Sequence, residues 1–190
     1  MNIAPVVGVL LAAGRGERFG GDKLLALLPD GECVGAAAAR HLLAVLPEIV
    51  AVVRPDDAEL TAALGAAGAR IVRCENADDG MGASLACGVK ARPDAAGWLV
   101  TLADMPWIEP ATIARVADAI AGGADIAAPF HRGERGHPVG FGRTFYESLA
   151  ALTGDEGAKS VVAAHLNGLT RIDVDDAGVL RDIDTRADLG

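Results

Sequence analysis

Short apolar runs alternate with longer stretches of helical composition along the first two thirds of the chain. Strands are predicted at four of these runs: Val6–Ala12, Ile49–Val53, Ala69–Arg73 and Trp98–Leu102. The first two are continuous apolar runs, which are typical of strands buried on both faces. Helices are predicted between and after them, at Gly35–Leu46, Asp56–Ala67, Gly82–Ala91 and Pro110–Ala121. Strands joined by helical crossovers form a parallel sheet with helices on both faces. The alternation therefore predicts an α/β fold around a mostly parallel sheet.

The last third of the chain contains the same kinds of element with a looser rhythm. Strands are predicted at Ile126–Phe130, near Val139 and near Leu169–Val174, and helices at Arg143–Leu152 and Asp155–Leu166. No linker, internal repeat or low-complexity tract divides the 190 residues, and a chain of this length can bury a full core. We therefore expect a single domain that spans residues 1–190.

The composition limits the partners that the chain can have. A net charge of −9 argues against nucleic acid or an anionic membrane as the main partner. No apolar run reaches the ~18 residues of a membrane span, and we expect no secretory leader. The three cysteines, Cys33, Cys74 and Cys87, form no C-x-x-C motif. The sequence thus favours a cytoplasmic protein.

The loop after the first predicted strand carries four glycines within eight positions, in the segment LLAAGRGERFGGDKLL. It does not match a P-loop, because Asp22 stands where the lysine of that motif belongs. It does not match the dinucleotide fingerprint either, because Phe19 occupies the third glycine position and Arg54 replaces the expected acidic residue. A long bare loop with two cations, Arg18 and Lys23, can instead wrap a nucleotide and neutralise its phosphates.

A second polar loop is expected at the same edge of the sheet, because ligands of open α/β sheets bind beyond the carboxyl ends of the strands. The segment LADMP at Leu102–Pro106 follows the fourth predicted strand and carries Asp104. A carboxylate at this position is a candidate ligand for Mg²⁺, which proteins commonly hold with one or two carboxylates and the phosphates of a substrate. The alternative is an exposed aspartate in a turn.

Five blocks in fixed order resemble the MobA/MocA-like molybdenum cofactor nucleotidyltransferases, and the resemblance covers nearly the whole chain. They are the glycine segment, LADMP, DDGMGASLACGV at Asp78–Val89, RGHPVGF at Arg135–Phe141 and DIDTRADL at Asp182–Leu189. The resemblance implies a three-layer α/β/α sandwich with the Rossmann-like nucleotidyltransferase fold. It is strongest to the cytidylyltransferases, which implies transfer of CMP from CTP to the terminal phosphate of the molybdopterin cofactor, with release of pyrophosphate.

The resemblance also implies roles for particular residues. Catalytic roles fall to Arg18, Lys23 and Asp104, and the ligands of a catalytic Mg²⁺ would be Asp104 and Asp184. Arg135 and His137 would line the side of the second substrate, in a polar loop that also contains His131 and Arg132 as potential cations. The nucleotide would be bound by Leu11, Ala12, Ala13, Gly14, Arg15, Gly16, Lys23, Gly80, Gly82 and Ser84.

Several alternatives remain open at this stage. The donor could be GTP, although guanylyl relatives usually have L-A-G-G where this chain has Ala13, whose methyl group narrows the space beside the base. A sugar-1-phosphate nucleotidyltransferase and a non-catalytic nucleotide-binding protein that hands the cofactor to a recipient molybdoenzyme are further possibilities. Asp184 could cap the short C-terminal helix rather than bind metal, and Ser84 could cap or pad a helix.

Overall fold

Residues 4–190 are described by the computed structural model, apart from the side chain of Glu17. In this part of the chain eight strands form one sheet. They are β1 (Val6–Leu11), β2 (Ile49–Val53), β3 (Arg70–Arg73), β4 (Gly97–Leu102), β5 (Ile126–His131), β6 (Glu134–Arg135), β7 (Val139–Gly142) and β8 (Leu169–Asp173). Neighbouring strands follow the order β3-β2-β1-β4-β7-β5-β6, and β8 pairs with β5.

The sheet is mostly parallel, as predicted. β1 lies between β2 and β4, with Leu11 paired to Val52 and to Leu102, while β3 is parallel to β2 and β8 to β5. β7 runs antiparallel to both β4 and β5. β5 and β6 form a hairpin in which Arg132 and Gly133 have φ values of 50° and 88°, as a two-residue hairpin turn requires. Within the sheet of the described residues, antiparallel pairing thus involves only strands from β4 onwards.

Six α-helices of the described chain cover the two faces of the sheet: α1 (Val34–Leu43), α2 (Ala58–Ala66), α3 (Met81–Lys90), α4 (Pro110–Ala121), α5 (Tyr146–Ala150) and α6 (Lys159–Ala164). One core cluster joins α1, α2 and α4 to Val6 and Leu10 of β1. The other joins α3, α5 and α6 to Val7 and Val9. Successive side chains of β1 therefore enter opposite cores, and the fold is the predicted three-layer sandwich.

The largest error in the predicted elements concerns the segment Asp155–Leu166. Its helix is confined to α6, because Gly157 adopts a φ value of 55° and interrupts helical geometry before Lys159. Gly154, directly before the segment, has a φ value of 71°. The predicted strand and helix positions elsewhere are close to those observed, and β2 has the predicted bounds.

Across residues 4–190, none of the helices combines the length and apolar character needed to cross a membrane.

Candidate active site

The glycine loop begins where β1 ends, at the carboxyl edge of the sheet. The amide of Ala12 donates to Val52 O at 2.9 Å, and the amide of Ala103 donates to Leu11 O at 3.0 Å. These bonds fix the start of the loop between the ends of β2 and β4. Beyond this point Gly16 and Gly20 have φ values of 59° and 77°, a conformation that residues with a Cβ rarely adopt. The glycines therefore allow the turns of a loop that lies over the sheet edge.

A cavity of about 580 Å³ opens under this loop. It brings together most of the residues predicted to bind nucleotide and metal: Leu11, Ala13, Gly14, Arg15, Gly16, Arg18, Lys23, Gly80, Ser84, Asp104 and Asp184. These residues come from the loops after β1 and β4, the start of α3 and the C-terminal segment. A second cavity, of about 280 Å³, shares Gly14, Arg15 and Lys23 with the first. The larger cavity alone has the volume of a small-ligand site.

Two residues predicted for the nucleotide site lie outside the cavity lining. The side chain of Ala12 is buried in the core on the opposite face of the sheet from that of Ala13. The amide of Gly82 donates to Gly154 O at 2.7 Å, so in this structure it is not free for a ligand. A Cβ on Gly82 would lie 2.6 Å from the carbonyl oxygen of Thr153. Gly82 is therefore needed for close packing of the 153–157 loop on α3.

Lys23 and Asp104 form a short ion pair at the centre of the site. The Nζ of Lys23 donates to Asp104 Oδ2 at 2.6 Å, and the two side chains are only 14% and 18% exposed. The other carboxylate oxygen, Oδ1, is buried without a hydrogen-bond partner among the described residues. A buried polar atom without a partner is costly. Asp104 thus has an unused acceptor of the kind that a divalent cation binds.

The C-terminal segment lies against Asp104 through its backbone. The amide of Ile183 donates to Asp104 O at 2.9 Å, which brings the neighbouring Asp184 to the same cavity. The carboxylate of Asp184 accepts from Arg18 Nη1 at 3.1 Å. Thr185, not Asp184, is the N-cap of the last helical turn, in a capping box with Asp188. The capping alternative for Asp184 is therefore wrong.

The two carboxylates do not form a complete metal cage by themselves. Among the residues that the structure describes, no group of three or more His, Cys, Asp and Glu side chains could hold a metal ion. Asp104 and Asp184 fit Mg²⁺ nonetheless, because this ion keeps water and phosphate oxygens among its ligands and takes only one or two carboxylates. The unpartnered Oδ1 of Asp104 is the observation that favours such an ion.

Arg54, which the sequence did not single out as functional, flanks the glycine loop together with Arg15. Arg54, directly after β2, donates from Nη2 to Asp78 Oδ1 at 2.7 Å, and Arg15 donates to the same oxygen at 2.8 Å. The hydrogen bonds from Arg54 and Arg15 lower the pKa of Asp78. Arg54 lines both cavities. The signal in the sequence that could identify Arg54 is its position directly after a parallel strand.

The two residues predicted for the second substrate differ in their surroundings. Arg135 is exposed on β6, whereas burial lowers the pKa of His137 below its ordinary value of 6.5, and a hydrogen bond to the Val100 backbone only partly opposes this. Burial therefore disfavours the charged imidazole that a phosphate-binding His137 would need. His131 is also buried, with Nδ1 3.3 Å from Val174 O. Neither Arg135 nor His137 lines the large cavity.

Comparison with known proteins places this site in a family. The sequence profile of the MobA-like NTP transferase domain matches residues 8–169. Purine catabolism protein PucB of Bacillus subtilis is 29% identical over 195 residues, which cover 95% of this chain and 92% of PucB.

Three solved structures are similar over nearly the whole chain. Rv0371c from Mycobacterium tuberculosis superposes with a TM-score of 0.85 at 30% identity, covering 99% of this chain and 96% of Rv0371c. A structure of Rv0371c in complex with manganese gives a TM-score of 0.81 at 28% identity, covering 97% and 96% of the two chains. A nucleotidyl transferase from Methanothermobacter gives 0.82 at 26% identity, covering 99% and 94%. The overall fold of this chain is thus a known architecture.

Proposed function

The chain belongs to the MobA-like NTP transferase family and is a nucleotidyltransferase, and we propose that it transfers CMP from CTP to the terminal phosphate of the molybdopterin cofactor. The observation that supports this most is the meeting of Lys23, Asp104 and Asp184 in one cavity beneath a glycine loop. This arrangement offers cations for a triphosphate and carboxylates for a divalent metal. The manganese complex of Rv0371c supports a divalent cation in the site.

The proposed reaction needs positioning and charge neutralisation rather than a nucleophilic side chain. A terminal phosphate oxygen of the acceptor attacks the α-phosphorus of CTP in line, a new P–O bond forms, and pyrophosphate leaves with the electrons of the broken P–O bond. Lys23, Arg18 and the loop amides bind the phosphates. Mg²⁺, when held by Asp104 and Asp184, neutralises phosphate charge. Arg135, exposed on β6, remains the candidate cation for the acceptor phosphate.

The proposal also includes molybdopterin as the acceptor substrate and the cytoplasm as the compartment. Pyrophosphate release that requires CTP, Mg²⁺ and molybdopterin together supports an enzyme, whereas nucleotide binding without pyrophosphate release supports the non-catalytic cofactor-handover protein. A sugar-1-phosphate that replaces molybdopterin in this assay would contradict the proposed acceptor. The three cysteines are free, which favours a reducing cytoplasm, and a molybdoenzyme would receive the product.

We expect CTP to be preferred over GTP. Ala13 is buried, and its side chain lines the cavity, so its methyl group leaves less room beside the base than the glycine of guanylyl relatives. The kcat/KM values of the two nucleotides measure this preference directly. Ala13→Gly is the matched variant and should narrow the difference by raising the value for GTP. Equal values in the parent enzyme, or a GTP preference, would support the guanylyltransferase instead.

Lys23→Ala should weaken use of the nucleotide without unfolding the protein. One charge-assisted contact to phosphate contributes on the order of 1.5–3 kcal/mol, which corresponds to a loss of roughly 10- to 150-fold in kcat/KM. Lys23 lies at the start of a 3₁₀ turn in the loop and is not part of either core cluster. Circular dichroism should therefore be unchanged. An unaltered kcat/KM for CTP would show that Lys23 does not contact the triphosphate.

A further inference from the structure

The partner of Lys23 in the structure is the carboxylate expected to hold the metal. Its ammonium lies 2.6 Å from Asp104 Oδ2, and both side chains are largely shielded from water. Only Oδ1 of Asp104 is left without a partner among the described residues. The positive charge of Lys23 therefore already neutralises Asp104 before any ligand is considered.

This ion pair opposes metal binding at Asp104. A divalent cation on Oδ1 would lie within a few ångströms of the ammonium on Oδ2, and like charges repel strongly where water is partly excluded. The exposed Arg18, 81% accessible beside Asp184, is screened far better by solvent. Lys23 is thus the cation that limits the affinity of this site for a metal.

The phosphates of a bound nucleotide would be a second partner for the ammonium of Lys23. Lys23 lines the cavity of about 580 Å³ together with Gly14, Arg15 and Gly16 of the glycine loop, where a triphosphate is proposed to bind. Phosphate oxygens bound there would form an ion pair with the Lys23 ammonium in place of the Asp104 carboxylate. A lysine side chain is a flexible point charge that can make this change by rotation about its own bonds.

We propose that Lys23 couples the binding of nucleotide and metal by exchanging Asp104 for phosphate. Without nucleotide, Lys23 is paired with the carboxylate of Asp104 and keeps the affinity of the site for a divalent cation low. Bound nucleotide draws Lys23 away and frees Asp104 for the metal. Because coupling between two ligands is reciprocal, the metal must also tighten nucleotide binding. The inference rests on the proposed nucleotide site and adds an order of binding to it.

Mn²⁺ binding in the absence of nucleotide tests this role without measuring turnover. The signal of free Mn²⁺ in electron paramagnetic resonance gives dissociation constants for the parent protein, Lys23→Met and the matched control Arg18→Met. We expect Lys23→Met to bind Mn²⁺ about tenfold or more tightly than the parent, and Arg18→Met to change by less than about threefold. Asp104→Asn in the Lys23→Met background should abolish the gain. Lys23→Gln repeats the test should Lys23→Met fail to fold.

A non-hydrolysable CTP analogue completes the test. In the parent protein it should tighten Mn²⁺ binding, and in Lys23→Met this enhancement should shrink, because no ammonium remains to be displaced. Unchanged Mn²⁺ affinity in both Lys23 variants, or an equal gain in Arg18→Met, would overturn the coupling. Such results would contradict the coupling alone, because the proposed function is tested separately by pyrophosphate release with CTP. Lack of turnover with every nucleotide would fail the proposed function separately, since the metal titration uses no substrate.

Discussion

The Asp104→Asn enzyme is expected to lose about 100-fold or more in kcat, while its fold is retained. An amide has the shape of the carboxylate but lacks the negative charge that pairs with Lys23 at 2.6 Å and that is proposed to bind Mg²⁺. Asp184→Asn should have a loss of the same order, because Asp184 lies in the same cavity. Steady-state kinetics over a range of Mg²⁺ concentrations measures both effects.

The double variant distinguishes a shared ion from two separate roles. If Asp104 and Asp184 hold one Mg²⁺, the double variant should be little worse than the poorer single variant, since groups that act as a unit are not additive. Arg171→Ala is a suitable control, because Arg171 pairs with Asp173 on β8 and does not line either cavity. Fully additive losses, or normal turnover and normal Mg²⁺ dependence in Asp184→Asn, would disprove the shared ion.

Asp176→Ala is expected to lower the free energy of unfolding by about 3 kcal/mol. Asp176 is only 4% exposed, and its carboxylate accepts from Glu109 N at 2.9 Å, Thr112 Oγ1 at 2.7 Å and Gly178 N at 2.9 Å. These bonds join the segment after β8 to the start of α4. Removal of the carboxylate leaves three donors in or near the core without a partner.

Chemical denaturation of Asp176→Ala and Thr112→Val measures this contribution. Thr112→Val removes one of the three donors together with its hydrogen bond and should cost about 1 kcal/mol. Because the segment after Asp176 leads to Asp184, Asp176→Ala should also weaken activity at temperatures well below unfolding. A loss of stability under about 1 kcal/mol in Asp176→Ala would show that solvent replaces the missing carboxylate.

The fold could be predicted from sequence because its strongest signals are local. β1 and β2 are continuous apolar runs, and such runs are needed wherever a strand is buried on both faces. Pro110 at the start of α4 and the glycines after its end are equally local signals. The segment before α6 was predicted wrongly because its composition is helical, and only the positive φ value of Gly157 interrupts it.

The site could be predicted as a set of residues but not as a set of contacts. The glycine loop and Asp104 follow strands that end at one edge, so their proximity follows from topology. The pairing of Lys23 with Asp104 and of Arg54 with Asp78 joins positions far apart in sequence, and no local pattern encodes it. The burial of His137 likewise depends on packing against other elements, which the polar composition of its loop concealed.

One measurement tests the central claim most directly. The protein is incubated with Mg²⁺, the molybdopterin-based cofactor and each of the four nucleoside triphosphates in turn, and the products are identified by mass spectrometry. We predict a cytidine dinucleotide of the cofactor together with an equal amount of pyrophosphate, formed from CTP in clear preference to the other three. A guanine dinucleotide as the main product, or no pyrophosphate with any nucleotide, would contradict the proposed reaction.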